Sequence, residues 1–339
     1  MSEVILLDAG SGGKAAHRLI TEVFVRHFDN PILATLDDAA RLEISGPLAF
    51  STDGYTVDPL EFPGGDIGSL AVHGTVNDVA MLGARPKYLS CAFIIEEGLP
   101  LALLERITAS MGRAAKEAGV CIVTGDTKVV PKGSADKIFI TTSGIGEIIA
   151  APSPSGSRAE SGDAILISGS MGDHGLTVLS QRAGLSLSAE VRSDSASLNH
   201  MVEALITEVG DIHVLRDPTR GGLGTTLNEI AGQSALDCLV REVDIPIRPG
   251  VRAGCDVLGL DPLYLANEGK LICILPEAKN EAALTVMRRF PQGAEATRIG
   301  GMAPVSAKDG KTARVLLETG LGGRRLLGML EGEQLPRIC

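Results

Sequence analysis

The residues best equipped for chemistry in this chain are acidic, and they stand where apolar runs break off. Asp37 and Asp38 follow Ile32 to Leu36, and Asp53 closes the run ending Phe50-Ser51-Thr52. Asp78 lies in Asn77-Asp78, and Asp126 in Thr124-Gly125-Asp126-Thr127-Lys128. Loops beyond strand ends are where α/β proteins place their ligands. Taken as a set, Asp38, Asp53, Asp78 and Asp126 could hold Mg²⁺, which prefers oxygen ligands and retains phosphate and water. Each Asp alone could equally cap a helix or close a turn.

Other segments could meet an anion or move a proton. Gly10-Ser11-Gly12-Gly13-Lys14 precedes a helical pattern from Ala15 to Phe28. It departs from the Walker pattern, with Asp8 at the first glycine position and Ala15 where Ser or Thr would follow the Lys. Arg220-Gly221-Gly222-Leu223-Gly224 follows Asp217-Pro218-Thr219 and leads into a second helix. Either loop can turn backbone N–H groups toward phosphate. Glu268, in Asn267-Glu268-Gly269-Lys270, could be a general base if desolvated, or an ordinary turn residue if exposed. No HExxH or GxSxG is present, which disfavours a zinc protease or a serine hydrolase. The six cysteines (91, 121, 238, 255, 273 and 339) form no CxxC pair, so zinc and iron–sulfur sites are disfavoured and a reduced, cytoplasmic protein is expected. The chain stops on Cys339, which is not a prenylation box because that needs three further residues.

The elements that must position these groups form an α/β pattern. With 339 residues, about two domains are expected. The composition, 44% hydrophobic and 22% charged, is that of a globular protein. A net charge of −11 argues against nucleic acid or an anionic membrane as partner. No apolar run approaches the ~20 residues of a membrane span. Strands are expected at 47–52, 88–95, 120–124 and 137–144, with helices at 67–82 and 101–118. The proline-punctuated stretch 150–157 reads as a linker. Beyond it, strands at 164–168 and 270–275 alternate with helices at 176–183, 195–209 and 277–290. The expected domains are 1–150, N-terminal, and 158–327, α/β; a tail, 328–339, ends the chain and would ordinarily be frayed.

Taken in order, the motifs become recognisable. Ser51-Thr52-Asp53, Gly65-Asp66-Ile67-Gly68, the segment from Asn77-Asp78 to Arg85-Pro86, and Thr124 to Val130 resemble the ATP-binding superfamily of aminoimidazole-ribotide synthetase, selenophosphate synthetase and thiamine-monophosphate kinase. Within it, the segment Arg216 to Leu223, Asn267-Glu268-Gly269 and the ending Pro336-Arg337-Ile338-Cys339 resemble the HypE family of nickel–iron hydrogenase maturation proteins. The resemblance spans essentially the whole chain. Selenophosphate synthetases carry Cys or selenocysteine in the first glycine-rich loop, which here has no sulfur. HypE proteins often carry His where this chain has Ala9.

The resemblance implies an N-terminal ATP-binding domain whose mixed sheet pairs across a homodimer, a second α/β domain and a flexible tail. It implies ATP and Mg²⁺ held by Asp38, Asp53, Asp78 and Asp126, with Asn77 and Gly125 near the nucleotide. A carbamoyltransferase, HypF, would load carbamoyl on the Cys339 sulfur. ATP-dependent dehydration would convert it to thiocyanate, with Glu268 or Lys128 as base, and a HypC–HypD iron scaffold would take the cyanide. A small-molecule kinase or synthetase of the same superfamily, and a scaffold tethered through Cys339, are the competing readings.

Overall fold

The computed structural model describes residues 3–10, 13–37, 39–185, 191–306, 312–330 and 337–339. Asp38, Ser11, Gly12 and residues 331–336 of the tail lie outside them. The N-terminal unit is built on a four-stranded sheet: β1 (Leu48–Tyr55), β2 (Ala84–Glu96), β3 (Cys121–Val130) and β4 (Ile138–Ile148). Their order is β1-β4-β2-β3. β4 is antiparallel to both neighbours while β2 and β3 run parallel, so the sheet is mixed. Two helices, α1 (Ile67–Met81) and α2 (Leu101–Ala118), cover one face.

Local chemistry explains both helices. Asp66 caps α1, its carboxylate accepting from the Gly68 and Ser69 N–H groups at 2.8 and 2.9 Å, while Ser69 Oγ accepts from the Asp66 N–H at 3.1 Å. This reciprocal box satisfies donors that a helix start otherwise leaves open. A side chain at Gly68 would strike α2 at the Ile107 carbonyl, and one at Gly74 would strike Tyr55. Small residues thus let α1 press close to both α2 and the sheet. α2 buries one stripe, including Leu104, Ile107 and Met111. It ends at Gly119 in the left-handed region (φ 72°), where glycine carries no Cβ penalty.

The second unit holds a seven-stranded sheet. In chain order its strands are β5 (Asp163–Ile167), β6 (Val214–Arg216), β7 (Asp237–Arg241), β8 (Ile272–Pro276), β9 (Thr297–Ala303), β10 (Val315–Glu318) and β11 (Arg324–Leu326). They lie in the order β11-β10-β7-β9-β5-β8-β6, with only β7 and β10 parallel. Its helices include α3 (Asp173–Arg182), α4 (Asn199–Ala204) and α5 (Gly222–Ser234).

One sequence expectation is shortened. The helix expected over 195–209 begins at Asn199, because residues 193–198 form no regular element and are bonded to their surroundings, and it closes in a π turn over Leu205–Val209. The stretch 150–157, expected as a linker, is irregular and held in place by hydrogen bonds. Ser155 N–H donates to the His213 carbonyl at 2.9 Å, and Arg158 reaches the Ile212 carbonyl at 3.0 Å. Among the described residues no helix is long and apolar enough to cross a membrane.

Candidate active site at the chain terminus

The last three residues are seated between the two units. Thr56 donates to the Cys339 main-chain oxygen through its N–H (3.0 Å) and its hydroxyl (3.2 Å). Asp58 N–H donates to the Arg337 carbonyl at 3.3 Å, and Arg182 from α3 donates to the same oxygen at 2.6 Å. Arg337 in turn donates to the Thr56 carbonyl at 2.8 Å, pairs with Asp136 and lies over the Phe139 ring. Ile338 is buried in the N-terminal core. The anchors come from the loop after β1, from β4 and the turn before it, and from α3, so docking the terminus uses both units.

Docking puts Cys339 into a cavity of about 140 Å³ lined by Thr52, Asp53, Asp78, Asp217, Arg220 and Glu268, among others. Asp53 lies on the helix-facing side of β1, and Asp78 projects from α1, held by a 2.7 Å hydrogen bond from Ser51. Asp217 and Arg220 follow β6, and Glu268 precedes β8. Few cations offset this acidic group: Arg216 is committed to Glu229, which leaves Arg220.

The electrostatics follow. Burial pushes the Glu268 carboxyl well above the usual range, and the neighbouring charges of Asp217, Asp194, Asp53 and Asp78 push the same way. Its Oε1 is buried without a partner. Burial, then the Asp78 charge, raises Asp217 to about 7. Asp78 is raised by burial and by Asp53 against the opposing Ser51 bond. Burial and then Glu268 push the Cys339 thiol up to about 12. A buried carboxylate cluster whose charges repel one another, with the Glu268 Oε1 lacking a hydrogen-bond partner, favours binding of a cation or a proton. Hard oxygen donors suit Mg²⁺. No group of three His, Cys, Asp or Glu among the described residues is arranged to ligate a metal on its own.

The structure joins some expected site residues and separates others. Asp53, Asp78, Glu268 and Cys339 share the cavity. Asp126 does not. Asp53, Thr142, Cys91 and Gly125 lie in one row across the four strands, so Asp126 is three strands away, ~14 Å by strand spacing. Asp126 and Lys128 pair with each other at 3.1 Å. With Gly125 they line a different cavity, of about 450 Å³, under the N-terminal helix. Within one chain Lys128 is therefore remote from Cys339. Asn77, expected near nucleotide, is 1% exposed and occupied. It donates to the Ala196 carbonyl at 3.0 Å and accepts from Leu198 N–H at 2.8 Å, a strut tying α1 to the chain before α4. Asp38 lies outside the described residues. Asp217, Arg220 and Asp194 were not singled out as site residues, although Asp217 and Arg220 stand in a motif with the anion-binding signal.

The two units coincide with two family models. Residues 36–148 match the N-terminal domain of AIR synthase related proteins, and residues 160–308 match the C-terminal domain. The carbamoyl dehydratase HypE of Azotobacter vinelandii is 54% identical over 331 residues, covering 97% of this chain and 96% of that protein. The chain belongs to the HypE family. A crystal structure of the hydrogenase maturation protein HypE in complex with ATP superimposes with a TM-score of 0.96 at 70% identity, covering 98% of this chain and 99% of that one. The HypE chain of a HypE–HypF complex superimposes at 0.80 with 45% identity, covering 92% and 99%. All three HypE-resembling segments reach the carboxylate cavity, through Asp217 and Arg220, Glu268, and Cys339.

Proposed function

We propose that this chain carries out ATP-dependent dehydration of a carbamoyl group borne on its own Cys339. The observation that carries the reading is the seating of the Cys339 sulfur in the carboxylate cavity, beside Glu268. A thiol pushed up to about 12 is a poor nucleophile, so this seat suits a cysteine already carrying its cargo. Loading then takes place with the terminus undocked, by a HypF-type carbamoyltransferase. A tail of twelve residues can extend ~40 Å, enough to visit two sites.

In the seated state the carbamoyl oxygen attacks the γ-phosphorus of ATP and ADP leaves. One N–H proton is lost as the C=N bond forms. Loss of the second proton from nitrogen and departure of phosphate leave S–C≡N, so thiocarbamate and ATP give thiocyanate, ADP and phosphate. Glu268 stands where it can take a proton from nitrogen, and Arg220 where it can offset charge on the transferring phosphoryl. Two of Asp53, Asp78 and Asp217, together with phosphate and water, would hold Mg²⁺, and the ion would supply positive charge at the phosphates and offset the carboxylate repulsion that adds to burial in pushing Glu268 up.

Two further readings belong to the same proposal. The open face of the N-terminal sheet shows Phe50 and Ile94 at 66% and 44% exposure, the apolar surface of a homodimer. Pairing there would bring Asp126 and Lys128 of a second copy toward the Asp53 side, completing a nucleotide site at the junction. A HypC–HypD iron scaffold in the cytoplasm would accept the cyanide. ATP turnover by carbamoylated parent but not by Cys339→Ala supports the reading; equal turnover by both would favour the kinase or synthetase alternative.

A further inference from the structure

The docked terminus makes one contact that the proposed chemistry does not itself require. His174, in the first turn of α3, is wholly buried, and its Nε2 lies 2.8 Å from the Ile338 carbonyl. A carbonyl only accepts, so Nε2 carries the proton. Nδ1 then accepts, and it lies 2.8 Å from Ser193 Oγ, whose hydroxyl donates. Ser193 Oγ also accepts from the Ser195 N–H at 3.1 Å, which leaves its own proton for Nδ1. Phe62 packs edge-on to the imidazole, and burial lowers its pKa, so the ring stays neutral in this role.

Ser193 opens the segment that borders Glu268. Asp194 accepts from the Glu268 and Gly269 N–H groups, both at 3.2 Å. Ala196 N–H donates to the Glu268 carbonyl at 3.4 Å, and a side chain at Gly269 would collide with the Asp194 carbonyl. The same segment is tied to α1 through Ser195 to His73 (3.0 Å) and through Asn77. One connected path therefore runs from the Ile338 carbonyl through His174 and Ser193 to the backbone that aims Glu268.

We infer that His174 is a positioning residue that anchors the chain terminus through the Ile338 carbonyl, and that its bond to Ser193 couples this docking to the placement of Glu268. The inference rests on the proposed role of Cys339. Release of the terminus would cost His174 Nε2–H this acceptor, so the bond favours the docked state. Neither residue touches the reacting atoms.

The test uses the full-length protein with His174→Asn, His174→Gln and Ser193→Ala. Gln can place an amide N–H near the Nε2 position and keep the bond to Ile338, whereas Asn is too short and keeps only the Ser193 side. The first readout is the rate at which iodoacetamide alkylates Cys339 in the uncarbamoylated protein. The second is the single-turnover rate of water loss from carbamoylated protein with saturating Mg²⁺–ATP. His174→Asn should alkylate about tenfold faster than parent, the scale of one buried hydrogen bond, and His174→Gln should return close to parent. Ser193→Ala should keep Cys339 protected while slowing water loss about tenfold. Equal alkylation of the Asn and Gln variants overturns the anchor, and parent-like water loss in Ser193→Ala overturns the coupling. Alkylation needs no carbamoyl chemistry, so a parent that loses no water would strike the proposed function while the anchor is still decided by the first readout.

Discussion

Thr56 and Cys339 are 283 positions apart in sequence, yet the Thr56 N–H and hydroxyl both donate to the Cys339 main-chain oxygen. The bonds place the terminal sulfur beside Asp53 of the same strand segment and Glu268 of the other unit. A terminus held this way is a substrate arm in its seat, and its properties can be measured.

The seat should be sensitive to alkaline pH. Burial raises the Cys339 thiol from 9.0 to about 12, so the docked state holds its proton more tightly than the released one. Docking is then at full strength below about 9 and is lost as pH rises toward 12. Proteolysis of the tail should accelerate between pH 9 and 10 in the parent, and Cys339→Ala should lack that acceleration.

Asp217 should trade stability for binding. Its folded pKa of about 7 lies above the ~3.9 of an unfolded Asp, so its contribution is full below about 4 and is lost as pH rises through 7. The ligand-free protein should melt higher at pH 6 than at pH 8. Asp217→Asn should flatten that difference, raise the pH 8 melting temperature and weaken Mg²⁺–ATP binding in calorimetry. Asp53→Asn and Asp78→Asn should weaken the same binding with the fold intact.

Asn77 should behave as a strut. Asn77→Ala leaves the Leu198 N–H without its acceptor, a cost of ~1–3 kcal/mol for a buried donor. Urea unfolding should show that loss in the absence of nucleotide. A purely nucleotide-binding role would instead leave ligand-free stability unchanged.

The open sheet face gives a test of assembly. Phe50→Asp puts a charge on the open face of the sheet, next to exposed Leu48 on the same strand. Light scattering should show a dimer for the parent and a monomer for the variant at micromolar concentration. A monomeric parent would remove the reading in which Asp126 and Lys128 serve a second copy.

The sequence made the long periodic elements legible and left the joints obscure. α2 spans Leu101–Ala118 as its apolar spacing predicts, since the stripe that packs is the stripe that repeats. β9 was not anticipated because Gly300 and Gly301 interrupt its apolar pattern; a side chain at Gly300 would strike the Leu239 carbonyl of β7. In the site, Asp53, Asp78, Glu268 and Cys339 were legible as residue types. Asp53 and Asp78, expected in loops, lie within β1 and α1, because the strand and the helix run on past the break in the apolar pattern. Spacing along the chain could not reveal that Asp126 stands three strands from Asp53, because sheet order is set by tertiary packing. Nor could it show that Asn77 is spent on backbone groups, or that Asp217 joins the cluster.

The most direct test of the account is intact mass spectrometry of the parent, carbamoylated on Cys339, before and after Mg²⁺–ATP. The account predicts that the carbamoylated species becomes lighter by one water, with the change localised to the peptide ending in Cys339. ATP consumed with the carbamoyl mass unchanged would contradict it.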